Sequence, residues 1–393
     1  MKTLFIAGVS GSIGKQTLDV LNSQWFKENF RLIGGSVYSN WNDLENLIDT
    51  YHLQAVGIVD DLYDLPESYK ECRIFKGLDA VENAIKYCEA DISLIATSGF
   101  SGVKHTLSSI DVSDRICLAN KESIVCGGNF VLNYAKKLGK IIIPIDSEHS
   151  AIFQLLLGEV TRPEKIILTA SGGSVRDLPL EKLESVTPSV VLKHPVWEMG
   201  QRITVDSATM VNKGLEVFEA YYLFGIENIE VLINRDSHVH SIVQFCDGVF
   251  KMHFGIPNMK VPIAFSLSYP ERRYDFNKPS LADMKIEFEK VDYNRYPSLK
   301  LAFDILGNPI LQNAFNAADE VAVENFLRGE IKFTDIYEVI YKTVNEVEKM
   351  FSPSISLEFR SLDEIIKVDK HSRKVAKKVI SEINKNNKMD QYK

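Results

Sequence analysis

A chain of 393 residues exceeds what one hydrophobic core organises, so two or three domains are expected. With 45% hydrophobic and 25% charged residues it can bury a sizeable core, which excludes overall disorder. The net charge of −8 argues against nucleic acid or an anionic membrane surface as main partner, while leaving room for a local cationic pocket.

The chain opens on an apolar run that stops at Gly8, too short for a signal-peptide core. No stretch approaches the roughly 20 apolar residues of a membrane span. The five cysteines (Cys72, Cys88, Cys117, Cys126 and Cys246) form no C-x-x-C pair, so reduced thiols and a cytoplasmic protein are expected. Strand-like runs at 3–7, 31–37, 54–59, 92–96, 116–119 and 140–145 alternate with helical patterns at 15–21, 44–51, 78–87 and 130–137. This alternation predicts an α/β protein whose N-terminal domain is a doubly wound, Rossmann-like parallel sheet.

From about residue 146 the rhythm changes. Short strands at 165–169, 231–233 and 249–254 mix with one long helix at 207–223, as in a central α+β domain. Residues 269–296, rich in charge, Pro, Asn and Asp, read as a linker. Helical periodicity then dominates to residue 383, and the polar tail from 384 is expected to fray. The expected division is 1–145 for the dinucleotide domain, 146–270 for the central catalytic domain, 271–297 for the linker and 298–393 for a C-terminal helical domain.

Gly8-Val9-Ser10-Gly11-Ser12-Ile13-Gly14 follows the first strand directly and opens a helix. Glycines at such a corner permit a tight turn and close approach of backbone to a pyrophosphate. The second strand ends Val37-Tyr38-Ser39-Asn40, with no acid before Asp43 to hold a ribose 2′-hydroxyl. Absence of the acid favours NADP, although no Arg or Lys stands there for the 2′-phosphate.

Asp146-Ser147-Glu148-His149 follows the strand at 140–145. Two carboxylates at i and i+2 on a strand's carboxyl end suit a hard cation such as Mg²⁺ or Mn²⁺, and equally suit a helix N-cap. Asp206-Ser207 reads as the N-cap of the helix carrying Asn212, Lys213 and Glu216, where Asn212 and Glu216 share a face. Gly214 inside that helix makes sense if something packs closely against it. Ser207, Asn212 and Lys213 suit a phosphate cradle. Ala170-Ser171-Gly172-Gly173 reads either as an anion nest or as a plain turn. The segment from His194 to Gly200 is either a closing lid or simple packing.

Together these motifs resemble the 1-deoxy-D-xylulose 5-phosphate reductoisomerase family of the non-mevalonate isoprenoid pathway. The resemblance rests on residues 8–14 (GVSGSIG), 118–123 (LANKES), 144–149 (PIDSEH), 170–173 (ASGG), 194–200 (HPVWEMG) and 205–216 (VDSATMVNKGLE). It implies that Asp146, Glu148 and Glu216 bind the metal and that Ser171, Ser207, Asn212 and Lys213 hold the substrate phosphate. It places Lys121, Ser147, Glu148, His194 and Glu216 around the rest of the substrate, with Lys121, Asp146, Glu148 and Glu216 as the catalytic residues. It assigns Ser10, Gly11, Ser12, Ile13, Ser39, Asn40, Asn120, Glu122 and Gly200 to NADPH, and implies a homodimer. Three positions depart from the family pattern: Val9-Ser10 for Ser-Thr, Tyr38-Ser39 for Gly followed by a basic residue, and Glu198 for a small polar residue. The second bears on the strength of NADPH preference. For proton transfer His149 and His240 are candidates, and a merely orienting role is open for both. Rival readings are a metal-free aldehyde reductase, an acylating dehydrogenase using Cys117 or Cys126, and a non-catalytic NADP-binding protein.

Overall fold

The computed structural model describes residues 1–60, 65–193, 196–197, 200–276, 278, 280–282, 284–351 and 358–391. The chain forms two compact units. One comprises Met1–Ser123, Val131–Phe153 and Asn258–Pro279; the other comprises Ile124–Phe130, Gln154–Pro257 and Ser280–Lys393.

The first unit is built on an eight-stranded sheet. Its strands are β1 (Lys2–Ala7), β2 (Phe30–Val37), β3 (Ala55–Ile58), β4 (Ser68–Tyr69), β5 (Cys72–Lys76), β6 (Ile92–Ile95), β7 (Arg115–Leu118) and β8 (Ile141–Pro144). They lie in the order β4-β5-β3-β2-β1-β6-β7-β8, all parallel except β4 against β5. A parallel central strand is covered on both faces, so it reads as continuous apolar sequence rather than alternation. In β1, Leu4, Phe5, Ile6 and Ala7 are accordingly all fully buried. Strand order reverses between β1 and β6, which places a ligand crevice at their carboxyl ends.

Helix Lys260–Ser268 belongs to this unit, although a division at residue 270 assigns it to the central domain. Its Ile263, Ala264 and Leu267 enter the same core as Leu4 and Ile6. Arg115 satisfies the helix's last carbonyls, donating to Ser266, Leu267 and Tyr269 at 3.3, 2.7 and 2.8 Å. The segment read as a linker is likewise divided. Tyr274 packs on the first unit's core, whereas Glu289–Lys290 forms a strand of the second unit.

The second unit holds a five-stranded sheet of β9 (Lys165–Ala170), β10 (Ile229–Ile233), β11 (Val239–Gln244), β12 (Phe250–Phe254) and β13 (Glu289–Lys290), ordered β12-β11-β9-β10-β13. Sequence reading passes over β11 because His240 and Ser241 interrupt its apolar pattern, yet both are buried. Helices Pro297–Asp304, Pro309–Leu327, Asp335–Phe351 and Leu362–Gln391 complete this unit. The last runs to Gln391, beyond the point where the tail was expected to fray.

The long helix expected at 207–223 is two helices, Gln201–Thr209 and Val211–Phe224. Between them Met210 takes a left-handed conformation (φ 60°, ψ 14°), which ends the first helix. Apolar periodicity continues across the break, so the pattern alone reads as one element. Asp206 and Ser207 therefore lie in the last turn of the first helix and do not cap the second. Gly214 does mark close packing: a Cβ there would lie 2.9 Å from the Ala302 Cβ.

Candidate active site

The glycine loop closes as its spacing suggests. Gly8 has φ of +82°, and its amide and that of Val9 donate to the Ser36 carbonyl at 3.1 and 2.9 Å. Gly11 caps helix Ser12–Leu21. A Cβ on Gly14 would sit 2.4 Å from the Val9 carbonyl oxygen, so only glycine lets this helix begin so close to the turn. Ser10, Gly11, Ser12 and Ile13 thus form the amide-rich start of a helix at the sheet's switch point, a cradle that suits a pyrophosphate.

Asn120 and Glu122 follow β7 and hold the loop after β6. The Asn120 amide donates to the carbonyls of Thr97 and Gly99 at 2.9 and 3.0 Å and to Glu122 at 2.8 Å. The Gly99 amide donates to the other Glu122 oxygen at 2.8 Å. At the end of β2, Asn40 accepts from the Asp43 amide at 3.2 Å and so caps helix Trp41–Tyr51. Ser39 is half-buried beside it, and Tyr38 is 72% exposed. Gly200 lies in the second unit as the N-cap of helix Gln201–Thr209.

Asp146 and Glu148 stand at the start of helix Ser147–Leu155. Asp146 accepts from the Glu148 amide at 3.2 Å, so the capping reading is realised. Its other oxygen meets the Lys121 ammonium at 2.9 Å, and His149 Nδ1 lies 3.2 Å from the first. Ser147 donates to Glu148 at 2.5 Å. Lys121 is buried, so its ammonium meets the Asp146 carboxylate largely outside bulk water. Hard carboxylate oxygens balanced by a lysine suit a divalent cation, which would compete with the ammonium for the same oxygen.

In the second unit Glu216 is buried, ion-paired with Lys213 and hydrogen-bonded by Asn212 at 2.5 Å. Asn212 and Lys213 occupy the first turn of helix Val211–Phe224. The loop after β9 meets Ser207: Gly173 has φ of +73°, and a Cβ on it would lie 2.5 Å from the Ser207 carbonyl oxygen. Ser171 accepts from the Gly173 amide at 3.2 Å. Two residues that sequence reading missed brace this loop. Arg176 donates to the Ser171 carbonyl at 2.5 Å, and the buried Tyr296 hydroxyl donates to the Gly172 carbonyl at 2.8 Å. Neither lies in a motif, and Tyr296 is distant in sequence. His194 and Glu198 lie outside the described residues, while the Trp197 ring lies 6.3 Å from the ring of the buried His240.

Among the described residues none of the five cysteines is joined in a disulfide. Cys117 is fully buried, which pushes its thiol up to about 11 and removes it as a nucleophile at neutral pH.

Three family models of 1-deoxy-D-xylulose 5-phosphate reductoisomerase match: the reductoisomerase model over residues 4–128 and two models of its C-terminal domains over 142–224 and 254–375. A protein of that description from Thermotoga neapolitana is 45% identical over 382 residues, 96% of this chain and 97% of the relative. The chain belongs to the 1-deoxy-D-xylulose 5-phosphate reductoisomerase family. The corresponding protein of Listeria monocytogenes is 40% identical, across 97% of this chain and the whole of its own. Of solved structures, DOX-P reductoisomerase in complex with NADPH, fosmidomycin and magnesium matches with a TM-score of 0.90 and 33% identity, covering 97% of this chain and 98% of its own. The Zymomonas mobilis reductoisomerase in complex with NADPH matches with a TM-score of 0.84 and 32% identity, covering 96% and 99%.

Proposed function

We propose that this chain carries out the family's reaction, using NADPH and a divalent cation to rearrange and reduce 1-deoxy-D-xylulose 5-phosphate to 2-C-methyl-D-erythritol 4-phosphate in isoprenoid biosynthesis. The observation that supports the reading is the seating of Gly173 on the Ser207 carbonyl, which sets the loop carrying Ser171 against the helix carrying Ser207. Both lie in the unit that holds Asn212, Lys213 and Glu216. A phosphate held there supplies binding energy remote from the reacting carbons, which can be spent on orienting them.

Asp146, Glu148 and Glu216 would hold Mg²⁺ or Mn²⁺, and the glycine loop with Ser39, Asn40, Asn120, Glu122 and Gly200 would hold NADPH. When bound, the cation supplies Lewis acidity toward carbonyl and hydroxyl oxygens and NADPH supplies the hydride. Lys121 stabilises negative charge developing on a substrate oxygen, with Ser147 and His194 placing the rest of the sugar. His149, fully buried beside Asp146, orients that carboxylate. Trp197, at the middle of the segment 194–200, contributes apolar cover that excludes water.

The working form is a cytoplasmic homodimer. Among the described residues, no helix is long and apolar enough to cross a membrane. Edge strand β12 exposes Phe250 and Met252, at 54% and 43%, and an apolar edge of this kind favours pairing with a second copy. Glu216→Gln tests the metal assignment: activity should fall by roughly two orders of magnitude and need far more Mg²⁺. Unchanged activity and Mg²⁺ dependence would show the site to be misplaced.

A further inference from the structure

Helix Gln201–Thr209 has only nine residues, yet its last turn carries Ser207 and the carbonyl on which Gly173 rests. A helix of this length has little stiffness of its own, so its placement depends on tertiary anchors. One polar anchor is Arg202, one residue inside its N-terminus. Its guanidinium donates to Glu320 at 3.2 Å, to Asn316 at 3.0 Å and to Asp319 at 3.2 Å, and its Nε lies 3.5 Å from Asp206. Asn316, Asp319 and Glu320 all belong to helix Pro309–Leu327.

The contact is built rather than incidental. Asp319 is completely buried and Asp206 nearly so. Glu320 also accepts from Arg373 at 2.6 Å, and Arg373 holds Asp369 of the same C-terminal helix at 2.8 and 3.0 Å. A cation in the first turn opposes its own helix dipole, so the sequence accepts a local cost to place this charge there. A planar fork that reaches three acceptors on one neighbouring helix fixes both rotation and translation, which a lysine point charge does not.

We propose that Arg202 is a positioning residue for the substrate phosphate: by clamping helix Gln201–Thr209 to helix Pro309–Leu327, it sets where Ser207 meets the Ser171–Gly173 loop. This rests on the phosphate assignment above. The C-terminal helices thereby act on the substrate without touching it.

The test compares wild type, R202K and R202Q by three readouts. These are KM for 1-deoxy-D-xylulose 5-phosphate, protection against thermal unfolding by inorganic phosphate, and the Kd of NADPH by fluorescence titration. R202Q should raise KM for the sugar phosphate about tenfold and lose most of the protection by phosphate. Its NADPH Kd should move far less than KM for the sugar phosphate, because the glycine loop, Ser39, Asn40, Asn120 and Glu122 belong to the other unit and Gly200 alone of the proposed nucleotide contacts borders this helix. R202K, which keeps the charge without the fork, should recover part of both losses. A purely structural role would lower kcat and thermal stability together and leave KM and phosphate protection unmoved; that result overturns the proposal. Should R202Q fail to fold, R202K decides alone, since wild-type KM and protection in that variant would equally overturn it. Wild type that gains no protection from phosphate, together with a Lys213→Ala variant of unchanged KM, would instead refute the phosphate assignment and with it this proposal.

Discussion

Replacing Gly173 by alanine probes the phosphate surface at the point where two segments meet. The residue sits at φ of +73°, and its Cβ would lie 2.5 Å from the Ser207 carbonyl oxygen and 2.6 Å from the Ala208 Cα. Forcing an L side chain into the left-handed region costs about 1–2 kcal/mol. Relief of the overlap then needs a movement on the order of 1 Å between the loop and helix Gln201–Thr209, since carbon and oxygen settle near 3.5 Å apart. Misplacement by about 1 Å in a catalytic site can cost roughly 10²-fold. The expected result is a fall of about 10- to 100-fold in kcat/KM for 1-deoxy-D-xylulose 5-phosphate, with a much smaller change in the NADPH Kd. Gly248 provides the control: it also has positive φ, at +85°, but nothing lies within 4 Å of a Cβ there. Gly248→Ala should show the backbone cost as a drop in Tm of a few degrees with no change in KM. A Gly173→Ala enzyme with wild-type kcat/KM would refute the claim that this contact shapes the site.

Two further outcomes follow from single side chains. Ser39→Arg, beside the exposed Tyr38 and close in sequence to Asp43, should tighten NADPH about tenfold by adding a charge-assisted bond to the 2′-phosphate, leaving NADH unchanged in the same titration. Equal tightening of both nucleotides would place the 2′-phosphate elsewhere. Burial holds His105 down to about 4, so its contact with Glu82 at 3.8 Å is not an ion pair at neutral pH. A buried neutral imidazole contributes stability above about pH 6.5 that is lost as pH falls toward 4, by up to about 3 kcal/mol. Glu82, raised by the same burial, acts in the opposite sense as it takes up its proton. His105→Gln should therefore flatten the decline of Tm between pH 6.5 and 4.5, and an unaltered decline would rule out this residue as its source.

Where one element carries the signal, the sequence is readable. Continuous apolar runs mark the strands β1, β2 and β6, because a parallel sheet buries both faces. The glycine loop is legible for the same reason: its turn, cap and close approach fall within seven consecutive residues. Reading fails where tertiary contact decides. Met210 breaks a helix whose periodicity is uninterrupted, since a single left-handed residue redirects the backbone without leaving a mark on the hydrophobic pattern. Arg202, Arg176 and Tyr296 brace the candidate site through partners 5 to 124 residues away, the last through the Gly172 carbonyl. No local motif announces such bonds. Helix Lys260–Ser268 likewise reads as central sequence but returns to the first unit, because its apolar side chains complete that core.

The most direct measurement follows NADPH oxidation at 340 nm with 1-deoxy-D-xylulose 5-phosphate as substrate, in the presence of Mg²⁺ and after its removal by EDTA. Oxidation should require both the sugar phosphate and the cation, return when Mg²⁺ or Mn²⁺ is restored, and yield 2-C-methyl-D-erythritol 4-phosphate. Oxidation that persists in EDTA, or none with this substrate at saturating Mg²⁺, would contradict the account.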